Sequence, residues 1–224
     1  MDVDVFTLFP NAFDWFVGQR HVRNAITLGS AVQAVDYRES TTLSGRSVDD
    51  TPFGGGAGMV LRVDVVDWAL QARYGIDATT VGASRRVVAL TPGGRVLDEQ
   101  LVVELAAEPA LTLLCGRYEG FDERILEHFC TDQVSIGRYV LAGGELAAMV
   151  MLDAVLRKLP GALGDVSSAH EESFSAALEG QPEYPHYTRP ASYRGWDVPE
   201  VLLSGHHARV TEWRRQQSRR RSLQ

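Results

Sequence analysis

Lysine is all but missing from this chain of 224 residues: Lys158 stands alone against 21 arginines. Cysteine is nearly as scarce. Cys115 and Cys130 cannot build a disulfide framework, and their separation fits no zinc-binding spacing, so both are expected as small buried hydrophobes. No apolar run approaches the roughly 18 residues that a membrane helix needs. The opening segment, MDVDVFTLFP, has two acids and no early basic residue. That argues against a signal peptide and predicts a cytoplasmic protein with no membrane contact. Neither G-x-G-x-x-G after a first strand nor G-x-x-x-x-G-K-[ST] occurs, which disfavours a dinucleotide site and a P-loop.

What is present is ordinary for a globular protein: 45% hydrophobic and 23% charged residues. The net charge of −7 is unevenly placed. From Gly205 to Gln224 there are six arginines and one glutamate, so the body is strongly acidic and the tail basic. Such polarity suggests an anionic partner met at one end.

Short apolar runs alternate with helical patterns. Strands are expected at Asp2–Phe9, Ala31–Tyr37, Arg86–Leu90, Leu111–Cys115 and Asp132–Ile136. Helices are expected at Asn11–Ile26, Val63–Tyr74, Asp98–Glu108, Asp122–Phe129 and Glu145–Leu159, with a polar loop over Ser40–Gly58. The alternation predicts an α/β fold with a mostly parallel sheet. Residues 1–160 read as the main domain, 161–176 as a polar linker, and 177–224 as a small helical domain ending in a helix over Ala208–Arg221.

Three glycine-bearing turns follow three late strands: Pro92-Gly93-Gly94, Gly116–Gly120 and Ile136–Gly144. Open α/β sheets bind ligands beyond the carboxyl ends of their strands, and glycine lets backbone approach a ligand closely. The turns contain no lysine, although Arg117 and Arg138 are present. Tyr118, Tyr139 and Leu141 suit a flat, weakly charged ligand such as an adenosine moiety. The other glycine-rich segment, Phe53–Met59, is a weak nucleotide cradle and a plausible surface against RNA. His186, His206 and His207 do not make a metal site, because adjacent histidines on a helix point about 100° apart.

Several long stretches carry a resemblance: VDVFTLFP, TPFGGGAGM, LLCGRYEGFDERI, VSIGRYVLAGGELAAMVMLDAV, LPGALG, PHYTRP and VLLSGHH. Together they resemble, almost end to end, the bacterial tRNA (guanine-N1)-methyltransferase (TrmD) family of the SPOUT class. The resemblance implies a trefoil knot in the last part of the first domain and S-adenosyl-L-methionine as methyl donor. It assigns cofactor contacts to Pro92, Gly116, Tyr118, Gly120, Ile136, Gly137, Arg138, Tyr139, Val140, Leu141, Gly143 and Gly144. It leaves room for Mg2+ as an auxiliary ion with no residues to assign to it.

The methyl acceptor implied is N1 of guanosine 37, directly 3′ of the tRNA anticodon. Guanine N1 is a poor nucleophile until its proton leaves, so a general base is required. The resemblance places that base at Glu172 within SAHEESF, where relatives carry aspartate; the extra methylene could move the carboxylate by about 1.5 Å. Glu171 is the obvious substitute. The cationic partner falls on Arg157, where it can stabilise charge developing on O6. Ala57, Arg138 and Ala142 are milder departures from the family pattern. A homodimer with composite active sites is implied, with the basic tail on tRNA phosphates. The alternatives are a SPOUT methyltransferase acting on another RNA and a non-catalytic RNA-binding protein of the same fold.

Overall fold

The computed structural model describes residues 1–163 and 172–223. The chain divides after Leu163 into two units. In the first, β1 (Asp2–Thr7) leads through a 3-10 turn at Pro10–Phe13 into α1 (Asp14–Val17), α2 (Arg20–Thr27) and β2 (Ala31–Asp36). A two-residue ladder, β3 (Asp49–Asp50) against β4 (Val60–Leu61), brackets the glycine-rich segment. Then come α3 (Val63–Tyr74), β5 (Arg86–Val96), α4 (Glu99–Ala106), β6 (Ala110–Cys115), α5 (Glu123–His128), β7 (Asp132–Ser135) and α6 (Glu145–Leu156).

The sheet order is β2-β1-β6-β5-β7, and every neighbouring pair is parallel. Parallel strands need crossovers, and the crossover helices cover both faces, so the strands are apolar nearly throughout. Val3, Val5, Leu111 and Leu113 pack in one layer with Val22, Leu105, Met151 and Leu152. Phe6 and Leu114 point the other way, toward Val66, Leu70 and Ile125. Full burial of side chains such as Phe6, Leu105 and Leu152 contributes about 1.5–3 kcal/mol each. The charge within these layers is satisfied: buried Asp4 accepts from Arg73 at 2.7 Å, Arg85 at 3.0 Å and Tyr74 at 2.9 Å.

Three expectations for the first unit need correction. The helix expected over Asn11–Ile26 is broken at Gln19, whose extended backbone (φ −65°, ψ 142°) restarts the chain as α2. The break lets Phe13 and Phe16 enter the same core as Val22 and Ala25. The strand expected to stop at Leu90 resumes after Thr91–Gly94. Leu90 and Arg95 both oppose Val134, so the four residues between them leave the ladder and return. Gly94 is needed at the return, since a Cβ there would run into the Gln133 carbonyl. The polar loop over Ser40–Gly58 also holds structure, β3 and a 3-10 turn at Ser44–Arg46.

The second unit is not purely helical. A hairpin of β8 (Ser192–Tyr193) and β9 (Trp196–Asp197) precedes α7 (Glu200–Leu203) and α8 (His207–Arg221). The inner side of α8 docks on the preceding segment: Ser218 donates to the Pro182 carbonyl at 2.7 Å, and the Arg214 guanidinium lies 4.6 Å from the centre of the Tyr184 ring. Trp213 contacts Tyr187 at a centroid distance of 6.3 Å, which anchors the last helix. Residues 164–171, half of the expected linker and Glu171 with it, lie outside the described residues. Among the described residues, no helix is long and apolar enough to cross a membrane.

Candidate active site

The Thr91–Gly94 excursion of β5 and the turns after β6 and β7 lie together, because the three strands are parallel and adjacent. The Gly116 and Gly144 turns are joined by a backbone bond from Gly144 N–H to Gly116 C=O at 2.9 Å and a bridge between Arg117 and Gly143. Gly144 fits only as glycine: its Cβ would lie 2.8 Å from Cys115 Cα. The β7 turn is folded on itself. Ser135 Oγ donates to the Gly137 carbonyl at 2.9 Å, and the Tyr139 hydroxyl donates to the Ile136 carbonyl at 3.2 Å.

Between the turns lies an open cleft with roughly 620 Å3 of free space, counting the part open to solvent. Leu90, Pro92, Ile136, Leu141 and Ala147 give it apolar walls, Tyr118 and Tyr139 aromatic ones, and the glycines leave backbone accessible. Of the twelve residues assigned to the cofactor by resemblance, eleven line this cleft. Arg138 sits in the same turn with an exposed side chain and is not in the lining.

Behind the cleft's lining lies a carboxylate that pattern reading passed over. Glu145, buried at the first turn of α6, accepts from Thr7 Oγ1 at 2.8 Å and pairs with Arg117 Nε at 3.2 Å. Arg117 also donates to the Ala142 carbonyl at 3.2 Å and stacks 4.2 Å from the centre of the Phe9 ring. One carboxylate thus fixes the end of β1, the Gly116 turn and the Gly144 turn together. An acid leading an otherwise apolar helix was the available signal, since the partial positive charge of a helix N-terminus favours it.

The glycine-rich segment is attached to the same turn. Glu119 N–H donates to the Met59 carbonyl at 2.9 Å, and Leu61 N–H to the Gly120 carbonyl at 3.0 Å. Tyr118 adopts φ 61°, which turns its side chain outward. Partial burial and then the charge of Asp49 beside it push its hydroxyl above the ordinary tyrosine value. Cys115, fully buried, is likewise pushed up, first by desolvation and then by Glu145.

Arg157 caps the C-terminus of α6, partly buried. Glu172 is the first described residue of the second unit, partly buried, and its carbonyl accepts from Ser175 N–H at 3.1 Å. His186 pairs with Glu183 at 2.8 Å. Among the described residues, no group of three or more His, Cys, Asp or Glu is arranged to hold a metal ion.

Comparison with known proteins gives a consistent picture. The model of the tRNA (Guanine-1)-methyltransferase TrmD family matches residues 1–224. A tRNA (guanine-N(1)-)-methyltransferase of Rhodospirillum rubrum is 52% identical over 215 residues, covering 96% of this chain and 86% of that protein. Proteins of the same name from Shouchella clausii and Brevibacillus brevis are 49% and 47% identical, covering 100% and 99% of this chain and 89% and 88% of theirs.

Proposed function

The chain belongs to the tRNA (guanine-1)-methyltransferase TrmD family, and from that membership we propose that it transfers a methyl group from S-adenosyl-L-methionine to N1 of guanosine 37 in tRNA. The observation that carries the reading is the convergence of three glycine turns, two of them within the motifs that carry the resemblance, on one cleft.

The cleft's residues suit this cofactor. Gly116 and Gly144 present backbone where a Cβ would collide with Phe121 or Cys115, and the walls are apolar and aromatic with little charge, as an adenosine requires. Pro92, Tyr118, Ile136, Tyr139, Leu141 and the glycines would hold it. When bound, it supplies a methyl group on a cationic sulfur. The knot of the SPOUT class is part of the proposal. Its support is the path of residues 136–144, which run from β7 at the sheet edge back across the Gly116 turn before α6 begins.

The chain's own residues then have defined tasks. The Glu172 carboxylate accepts the N1 proton of guanine, giving N1 a lone pair for attack. Arg157 stabilises the negative charge that builds on O6 as that proton leaves. Arginines of α8 contact phosphates, positioning the RNA without reading sequence. The protein acts in the cytoplasm as a homodimer with composite sites.

The direct test is transfer of labelled methyl to unmodified tRNA, with mapping of the modified nucleotide. One methyl on N1 of guanosine 37 is expected. Methyl on a ribose or on another base would overturn the assignment. Composite sites are tested by mixing. A Tyr139/Gly144 double variant and a Glu172→Gln variant, each inactive alone, should regain activity together once subunits exchange.

A further inference from the structure

The β8–β9 hairpin exposes what globular proteins usually bury. Every residue from Ala191 to Asp197 is exposed, including Tyr193 at 53% and Trp196 at 71%. The two aromatics are direct cross-strand partners. Their rings lie 6.1 Å apart and are inclined at 52°, so each braces the other. The turn between them is Arg194-Gly195, with φ of 53° and 81°. Two positive φ values in a two-residue loop are the signature of a tight turn whose twist matches the strands. The Arg194 guanidinium sits 5.3 Å from the centre of the Tyr193 ring. The arrangement is a small rigid mount presenting two flat π faces and one cation.

Hydrophobic burial does not account for it. A lone two-stranded hairpin is marginal in water, and this one is built from four strand residues. Its surroundings favour an anionic partner. Between residues 172 and 223 there are eight arginines and six acidic residues, in a chain whose total is 22 basic against 29 acidic. Flat aromatic faces beside arginine are the chemistry that holds unpaired bases, because every base has a π face and its backbone is anionic.

We infer that Tyr193 and Trp196 form a stacking platform for unpaired bases of the tRNA substrate. This deepens the reading of the chain as a tRNA methyltransferase and rests on it. An enzyme that acts on N1 of a guanine must have that base out of its stack, and the neighbouring bases lose stacking partners as a result. The hairpin supplies replacements, a contact separate from the phosphate contacts of α8.

The test uses the full chain and a tRNA carrying 2-aminopurine in the unpaired nucleotides flanking the target guanosine. Wild-type protein should quench the probe. Tyr193→Ala and Trp196→Ala should each relieve the quenching and weaken tRNA binding about 10- to 100-fold, as expected for one lost stacked base. Binding of S-adenosylmethionine should not change. Tyr193→Leu and Trp196→Leu keep apolar bulk but lose the flat face, and they should resemble the alanine variants even if the latter fold poorly. Trp196→Phe should keep most of the affinity. Unchanged quenching and affinity in the leucine variants would overturn the inference. So would dissociation of an oligomer with tRNA binding intact, which would mean that the rings cover a second copy of the chain. Failure of wild-type protein to methylate tRNA would instead overturn the underlying reading.

Discussion

Arg117 in the Gly116 turn and Glu145 at the start of α6 clasp each other, Nε to Oε2 at 3.2 Å, although they lie 28 positions apart in sequence. The pair sets the distance between two of the turns that form the cleft, so its loss should register there. Glu145→Gln keeps the shape but removes the charge that Arg117 faces. A hydrogen bond to a charged group contributes about 1.5–3 kcal/mol. A stability loss of that order and roughly tenfold weaker S-adenosylmethionine binding are expected, read by urea unfolding and calorimetry. Arg117→Ala should cost more, about 3–5 kcal/mol, because it strands a buried carboxylate. Wild-type values for both variants would show that the clasp does not space the turns.

Gly144 and Gly116 should respond differently to a side chain. At Gly144 the obstacle is the backbone of β6, Cys115 Cα at 2.8 Å. At Gly116 it is the edge of the Phe121 ring, also at 2.8 Å, which can swing aside. Gly144→Ala should therefore lower the melting temperature and abolish cofactor binding. Gly116→Val should abolish binding with a smaller loss of stability. Wild-type calorimetric affinity in either folded variant would place the cofactor elsewhere.

The two thiols give the protein an alkaline limit. Burial raises Cys130 to about 12 and pushes Cys115 well above an ordinary thiol. In the unfolded chain both release their protons near pH 8.5. Above that pH the folded state binds more protons than the unfolded state, so stability falls as pH rises. The contribution is fully present below about pH 8.5 and is lost on the way to the folded values. The slope is about 1.4 kcal/mol per pH unit for each thiol. Urea midpoints at pH 7.5, 9 and 10 should show the decline, and Cys130→Ala should make it shallower. An unchanged slope would assign the alkaline loss to other groups.

For Glu172, the expectation concerns rate and not affinity. Glu172→Gln cannot accept the guanine N1 proton and should slow single-turnover methyl transfer by roughly 10²–10⁴-fold, with cofactor binding nearly intact. Glu172→Asp should remain active. A crippled Glu171→Gln beside an active Glu172→Gln would move the base by one position, and near wild-type rates for both would remove a carboxylate from the mechanism.

Much of this was legible because parallel strands leave a strong signature. Val63–Tyr74 has the limits read from its apolar spacing, with Gly75 (φ 69°) closing it. The strand expected at Leu111–Cys115 gains only Ala110. The three glycine turns pointed to the cleft because glycine is informative where backbone must come close. Thr91–Gly94 misled for a related reason: turn residues mark a departure from a ladder, and only the partner strand shows that the chain returns. The clasp among Thr7, Arg117 and Glu145 joins residues up to 138 positions apart, and no local pattern encodes such a meeting. The hairpin at 192–197 escaped because its strands are two residues long, below the length at which alternation can be read.

The position of β1 has a consequence for synthesis on the ribosome. Its first neighbour, β2, ends at Asp36, but its second, β6, ends at Cys115. After the first pair emerges, nearly 80 more residues must be translated before the other edge of β1 can be covered. At about 5–20 residues per second that is an interval of roughly 4–16 s. During it the nascent chain carries a bare apolar edge, VDVFT, able to template pairing with another chain. Slower elongation before residue 115 would lengthen that window, and a chaperone that shields the first 40 residues would be most useful within it.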